Sequence, residues 1–356
     1  MNSTGPLENK QQAKLIKVIK RLRVLLAGFI IIAIISILIL FNRPRIGQSD
    51  MVASQSDSIL SERKPVGRFA EYFNPDSFDI EQVANPVEKS FILYGKNLVD
   101  ETEHYIGPEV INPAMRYSGN NLTCSNCHLS GGTRPFSAPY VGVWGAYPNF
   151  RGRDNILGTL EDRINGCMER SMNGKPLPVD GKEMKAMLAY IKFLNNHVPT
   201  GEKIKGRGFA TINIPSRAAD PKQGGIVYNQ HCSSCHGKDG QGLRKGKPGD
   251  GQGYLYPPLW GPDSFNDGAG MHRLLTAARF IKANMPFGTP VGKPVLSDGE
   301  AYDVAAYINS FPRPKKAYKE KDYPDLKLKP QDCPYPPYAD SLPLKQHQLG
   351  PYVFNH

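Results

Sequence analysis

The sequence predicts a helical protein built from two units of one pattern, carried behind an apolar N-terminal segment. Three observations lead there. The motif Cys-x-x-Cys-His occurs twice, at Cys124/Cys127/His128 and Cys232/Cys235/His236, about 108 residues apart. Each copy lies between a helix-forming stretch and a Pro-rich loop, and each unit closes on an amphipathic helix. An unbroken apolar run over residues 24–41 precedes both units.

The N-terminal segment sets the topology. Residues 1–23 carry Lys10, Lys14, Lys17, Lys20, Arg21 and Arg23. Val24–Phe41 is apolar except for Gly28 and Ser36. As a helix it would span about 27 Å, close to the hydrocarbon thickness of a bilayer. A cleaved signal peptide usually has an apolar core of about 7–15 residues and a small-residue cleavage site. Here the run is longer, and Asn42-Arg43-Pro44-Arg45 follows it. We read residues 24–41 as an uncleaved transmembrane anchor. The basic residues 1–23 then stay cytoplasmic. The bulk of the chain faces the periplasm from a single pass through the inner membrane. Residues 42–75 are polar and mixed, and read as a linker.

The two units follow. Unit one, residues 76–200, has a helix from about Ser90 before its motif, the loop Tyr147-Pro148-Asn149-Phe150 after it, and a final helix over about Gly181–Asn196. In that helix Met184, Met187, Leu188, Ile191 and Leu194 recur near 3.6 residues. Unit two, residues 217–315, has Gly225-Ile226-Val227-Tyr228 before its motif and Tyr256-Pro257-Pro258-Leu259 after it. Its final helix covers about Asp298–Ser310, with Ser297 as N-cap and Glu300 at the third position. Residues 201–216 read as a connector. Residues 316–356, rich in Pro and Tyr, suit an extended strap over the surface or a disordered tail. Gly (35) and Pro (31) are abundant enough to fit loop-rich domains that pack around a cofactor.

Cys-x-x-Cys-His is a haem attachment motif. Two thiols add across the haem vinyl groups and the adjacent His supplies an iron ligand. A zinc ribbon would place its Cys pairs about 15–20 residues apart, and a thioredoxin-like pair needs a βαβ context that is missing. The formal charge of +11 is lowered by the propionates of two covalently bound haem c groups. No basic stretch is interleaved with aromatics, which argues against nucleic acid as a partner.

The opposite face of each iron separates a wire from a catalyst. In unit two, Met285-Pro286 ends a helix begun near Met271. Met285 is the candidate ligand and Met271 its competitor. Unit one has no Met-Pro. It offers a helix opened by the pair Thr159/Asp162 and closed by Asn173-Gly174 and Pro176. On it Arg163, Cys167, Arg170 and Ser171 share a face, and Gly166 would admit a flat ring. A thiolate beside guanidinium groups has a lowered pKa and is a good ligand or nucleophile. Three readings compete. Cys167 could pair with Cys333, Met168 or Met172 could be the ligand, or the Arg residues could form a solvated face. Arg151 and Arg153 lie just upstream. Trp144 and Trp260 are expected to pack near the haems. The remaining histidines, His272 and His347 included, are expected in loop or surface positions.

The order helix, Cys-x-x-Cys-His, Pro loop and terminal helix resembles class I cytochrome c repeated twice, and that resemblance implies an all-α fold class. In that family a carbonyl of the Pro loop accepts a hydrogen bond from the haem-ligating His. Pro148, and Pro257 or Pro258, would lie there. The stretch Asn165-Gly166-Cys167-Met168-Glu169-Arg170-Ser171-Met172-Asn173-Gly174 is more specific. Over about Asn85–Pro351 the chain resembles the thiosulfate dehydrogenase family of dihaem cytochromes. The resemblance implies reversible oxidation of two thiosulfates to tetrathionate. It makes His128 and Cys167 the ligands of the active-site iron, and His236 and Met285 those of an electron-transfer iron. Arg153, Arg163 and Ser171 match substrate-pocket positions. An external redox partner, a cytochrome or a quinone-linked carrier, is implied. Some members carry Lys before the distal Met, where this chain has Asn284. Three alternatives are a tethered, non-catalytic dihaem carrier, a dihaem peroxidase, and a sulfur-oxidising cytochrome that loads a carrier protein.

Overall fold

The structure, a computed structural model, describes residues 72–352 together with the isolated positions Lys20 and Leu26. The apolar run 24–41, the basic segment before it and most of the 42–75 linker lie outside the described residues. Among the described residues no helix is long and apolar enough to cross a membrane.

Unit one begins with α1 (Pro86–Asp100), whose N-terminus is capped by the Asn85 side chain accepting from Val87 and Glu88 N–H. After the Cys motif, strands β1 (Asn149–Arg151) and β2 (Ile156–Gly158) pair antiparallel. Helix α2 (Leu160–Arg170) opens on a complete capping box between Thr159 and Asp162. Asn173, at φ 48°, takes the left-handed turn beyond its end. Helix α3 (Lys182–Phe193) lies across α1. In unit two, α4 (Pro221–His231) precedes the motif, and β3 (Leu243–Arg244) pairs with β4 (Tyr254–Tyr256) across a bulge. Helix α5 (Leu274–Asn284) follows, then α6 (Asp298–Asn309), opened by the Ser297–Glu300 capping box. The architecture is therefore mostly helical, with two short hairpins that the sequence reading did not include.

One crossing repeats in both units and expresses the duplication physically. A Cβ on Gly95 would overlap the Ala186 carbonyl of α3, and one on Gly224 would overlap the Asp303 carbonyl of α6. Only glycine lets the first helix of each unit sit this close to the last. Around these crossings lie two cores. One holds Leu98, Ile106, Met168, Met184 and Met187, the other Tyr228, Leu274, Tyr302 and Val304.

The units are fused rather than strung together. Phe265 and Ala269 of unit two are buried in the core of unit one. Burying one such Phe contributes about 1.5–3 kcal/mol. Polar contacts surround it. Asn266 Nδ2 donates to Glu169 O at 2.9 Å, and Asn121 N donates to Asp263 Oδ1 at 3.0 Å. Asn284 is 1% exposed. It accepts from Arg134 Nε at 3.0 Å and donates to Phe136 O at 3.1 Å.

The C-terminal segment is an ordered strap. It contains one short helix, α7 (Leu344–Leu349). Asp322 binds unit one, Asp332 accepts from Arg273 Nε and Leu275 N at the start of α5, and Leu349 O accepts from Ala219 N and Tyr302 OH. His347 is buried, stacked on Tyr338, with Nδ1 donating to Gln331 O at 2.7 Å. His272 is enclosed too, with Nδ1 bonded to Asp267 O. His272 keeps to the expected loop region, whereas His347, on α7, departs from it because Gln331 O and Asp340 Oδ1, at 3.1 Å from Nε2, satisfy its ring. Tyr72, inside the expected linker, is 4% exposed and packs with Val141 and Ile204.

Candidate active site

Each Cys motif opens into an apolar cavity. The first encloses about 430 Å³ and is lined by Cys124, Cys127 and His128 from the motif, with Arg163, Cys167 and Ser171 from α2 and its C-terminal end. The second encloses about 340 Å³ and is lined by Cys232, Cys235 and His236, with Met285 following α5. The cavities share a wall, because Leu122, Thr123, Cys127, Phe265 and Met271 line both.

The two histidines are prepared as metal ligands. His128 Nδ1 lies 2.6 Å from Ala138 O, and His236 Nδ1 lies 2.8 Å from Pro257 O. A carbonyl can only accept, so Nδ1 carries a proton and Nε2 is the nitrogen left free to serve as a ligand. Burial lowers the pKa of His236, which favours the neutral ring. In unit two the acceptor is the expected loop proline. In unit one it is Ala138, ahead of Pro139, and Pro148 is not part of the cavity lining. The shorter path from the motif sets this difference.

The cysteines of the first cavity divide by electrostatics. Burial pushes Cys124 up to about 11 and Cys127 up to about 12. Burial acts on Cys167 in the same sense. There the Arg163 guanidinium and the His128 ring outweigh it, and the thiol comes down to about 6. Arg163 Nη1 donates to Cys167 Sγ at 3.0 Å, one helical turn away. Cys167 is thus the cysteine of this cavity that is a thiolate at neutral pH, facing the motif histidine. It is a free thiol, and so is Cys333, which lies fully buried beside Tyr323 and Tyr335. The alternative Cys167–Cys333 bridge is therefore excluded.

The other named residues divide between the site and its surroundings. Ser171 lines the cavity, and its carbonyl accepts from Asn120 Nδ2 at 2.9 Å. Met168 and Met172 line it as well and are buried. Arg153 does not line it. Its Nη1 donates to Asp322 Oδ2 at 2.8 Å, Gly268 O at 3.0 Å and Tyr335 OH at 3.1 Å. Arg170 also leaves the expected face, donating to Asp322 Oδ1 at 2.6 Å. Arg151 pairs with Asp154 at 2.5 Å. Cys167 therefore has one guanidinium neighbour rather than two. A Cβ on Gly166 would approach Arg151 and Arg170, not the cavity. Trp260 is buried, stacked on Phe311, whereas Trp144 is 39% exposed and lies outside the cavity lining. Lys203 and Arg207, which the sequence reading passed over as connector, line the first cavity.

The donor sets fit a covalently bound haem in both places. Each has two thiols and an Nε2 at one edge of an apolar slot, and a sulfur donor among the facing residues. Fold and sites together define a c-type cytochrome with two haem c groups.

The comparisons agree and narrow the class. The cytochrome c domain described as "SoxA/TsdA" matches residues 115–200, and the subunit III domain of cbb3-type cytochrome c oxidase matches residues 219–308. A thiosulfate dehydrogenase of Stutzerimonas stutzeri (strain A1501) is 37% identical over 264 residues, 74% of this chain and 80% of that protein. One from Allochromatium vinosum is 45% identical over 202 residues, 56% of this chain and 72% of that protein. The solved thiosulfate dehydrogenase (TsdBA) of Marichromatium purpuratum, in its "as isolated" form, superposes with a TM-score of 0.60 at 36% identity. That match covers 67% of this chain and about half, 49%, of the other. The chain belongs to the thiosulfate dehydrogenase family, whose members are oxidoreductases.

Proposed function

We propose that this protein oxidises two thiosulfates to tetrathionate, reversibly, at the cavity built on Cys124, Cys127, His128 and Cys167. The two sulfane sulfurs join in a new S–S bond and two electrons leave; no proton is exchanged. The observation that carries this reading is the Cys167 thiolate, held 3.0 Å from Arg163 and facing His128 in a largely apolar slot. His128 and Cys167 would hold the first iron, and His236 and Met285 the second. When bound, the haems supply two one-electron acceptors, matching the two electrons released. A thiolate ligand lowers and a thioether raises an iron potential, so electrons would pass from the first site to the second.

The residues of the chain supply the rest. Ala138 O fixes the His128 ring. Helix α2 presents a nucleophilic sulfur to the substrate. Arg163 reduces the repulsion between dianions, and fixed cations in a low-dielectric site do this without reorganising. Ser171 supplies a hydroxyl to the same cavity wall. Arg153 acts from behind the site, through Asp322, rather than by touching substrate.

The apolar run 24–41 would anchor the chain in the inner membrane, with the basic residues 1–23 inside and both haem units in the periplasm. The support is the length of the run, the charge before it, and the attachment of haem c outside the cytoplasm. Electrons would then leave to an external cytochrome or quinone-linked carrier. A reporter fused after residue 352 should be active in the periplasm and sediment with membranes.

Cys167→Gly tests the catalytic reading. Thiosulfate oxidation and tetrathionate reduction should both vanish while both haems stay attached. Retained turnover would remove Cys167 from the mechanism and leave the dihaem cytochrome reading intact, with Met168 or Met172 as the ligand on that face.

A further inference from the structure

We infer that Lys203 and Arg207, on the connector between the two units, are oxyanion-binding residues of the first cavity. The inference rests on that cavity being the thiosulfate site and extends it.

The connector is built into the cavity wall. Ile204 is buried against Tyr72 and Val141. Phe136 N donates to Gly206 O at 2.7 Å and Ala138 N donates to Gly208 O at 2.8 Å, clamping the backbone on both sides of Arg207. Ala138 is also the residue whose carbonyl orients His128. The connector cations are thus referenced to the same loop as the metal-binding ring.

Their charges are uncompensated. Arg151, Arg153 and Arg170, the other cations near α2, are paired with Asp154 or Asp322. Neither Lys203 nor Arg207 has an ion pair among the described residues, and no Asp or Glu lines the cavity. Arg163, Lys203 and Arg207 therefore give the lining three positive charges, of which only Arg163 has an anionic partner, the Cys167 sulfur. Joining two thiosulfates brings together four negative charges, and Arg163 is already engaged with the Cys167 sulfur. A second, uncompensated pair of cations in the same lining meets this need. Such single-sign clefts raise the local concentration of an oppositely charged ligand by about 10- to 1000-fold.

Two guests carry anionic oxygens into this cavity, the sulfonate ends of the substrate and the carboxylates of the porphyrin. The double variant Lys203→Gln/Arg207→Gln separates them, with the charge-keeping Lys203→Arg/Arg207→Lys as control. Both residues are exposed at the mouth, so the holo-protein should fold and load both haems. If sulfonates are bound, KM for thiosulfate and for tetrathionate rises roughly tenfold at low salt with kcat nearly unchanged. The salt dependence of KM flattens, the affinity of thiosulfate for the Cys167→Gly holo-protein falls in parallel, and the control restores all three. If porphyrin carboxylates are bound, the midpoint potential of the first haem shifts while KM stays. Unchanged KM, salt dependence, affinity and potential would overturn the inference. Wild-type protein that fails to turn over thiosulfate would overturn the reading of the cavity instead.

Discussion

Arg163 Nη1 sits 3.0 Å from Cys167 Sγ, one turn earlier on the same helix, inside a cavity that also holds the motif histidine His128. This contact makes the thiol acidic despite its burial. Arg163→Gln should lower kcat/KM in both directions by about 100- to 1000-fold, the range for removing one preorganised charge-stabilising donor. Arg163→Lys should recover part of this, because a point charge replaces a planar fork. Steady-state kinetics with haem content as control checks it. A loss below fivefold would remove Arg163 from the mechanism.

Asp322 holds two guanidiniums with one carboxylate, Arg153 at 2.8 Å and Arg170 at 2.6 Å, and accepts from Tyr335 OH at 2.6 Å. Removing one member of a buried ion network costs about 3–5 kcal/mol, because the partners stay buried and charged. Asp322→Asn should therefore lower the thermal midpoint and expose residues 316–352 to protease. Burial alone would raise the Asp322 carboxyl. The Tyr335 hydroxyl, Arg170 and Arg153 outweigh it and hold it below the usual carboxylate range. Its stabilisation is present above the unfolded pKa of about 3.9 and is lost as pH falls through the lower folded value. The gap between wild type and variant should close in acid.

Glu103 gives the opposite sign. It is 2% exposed, and its Oε2 has no hydrogen-bond partner. Lys245 Nζ stands 3.6 Å from Oε1. Burial outweighs the lysine and raises the carboxyl to about 7. The contribution of the neutral acid is complete below pH about 4.3 and is lost as pH rises through 7. Glu103→Gln should match wild type near pH 4 and melt several degrees higher at pH 8. Equal melting at both pH values would refute the buried neutral acid.

Asn284 closes the joint between the units one residue before Met285. With Asn284→Ala, Arg134 Nε loses its partner and the Phe136 carbonyl loses a donor. The cost of leaving a partly buried donor such as the Arg134 Nε–H unpaired is about 1–3 kcal/mol. Stability should fall, and the absorption band that reports thioether–iron bonding should weaken at the second site. An unchanged band would show that Met285 is positioned independently of the joint.

Local signals were legible in the sequence. The capping boxes at Thr159 and Ser297 formed as written, because each is closed within four residues. The two Cys motifs, Cys167 and Met285 came to cavity walls for the same local reason. What failed depended on distant partners. Arg153 and Arg170 share a short stretch with Cys167, but Asp322, more than 150 residues later, takes both. The connector resembled a linker because Ile204 finds Tyr72 and Val141 only in three dimensions. His347 is buried rather than exposed because its partners, Gln331 O and Asp340, meet it only in the folded strap and leave no mark on composition.

The partition formed by Leu122, Thr123, Cys127, Phe265 and Met271 is one residue thick wherever the same side chain faces both slots. Two redox centres so divided cannot be strangers. Charge arriving on one side changes the field on the other, so the second reduction is harder than it would be alone. The two centres should therefore titrate as a coupled pair, each one's potential depending on the charge its neighbour holds, and every sulfur–sulfur bond made or broken draws on both.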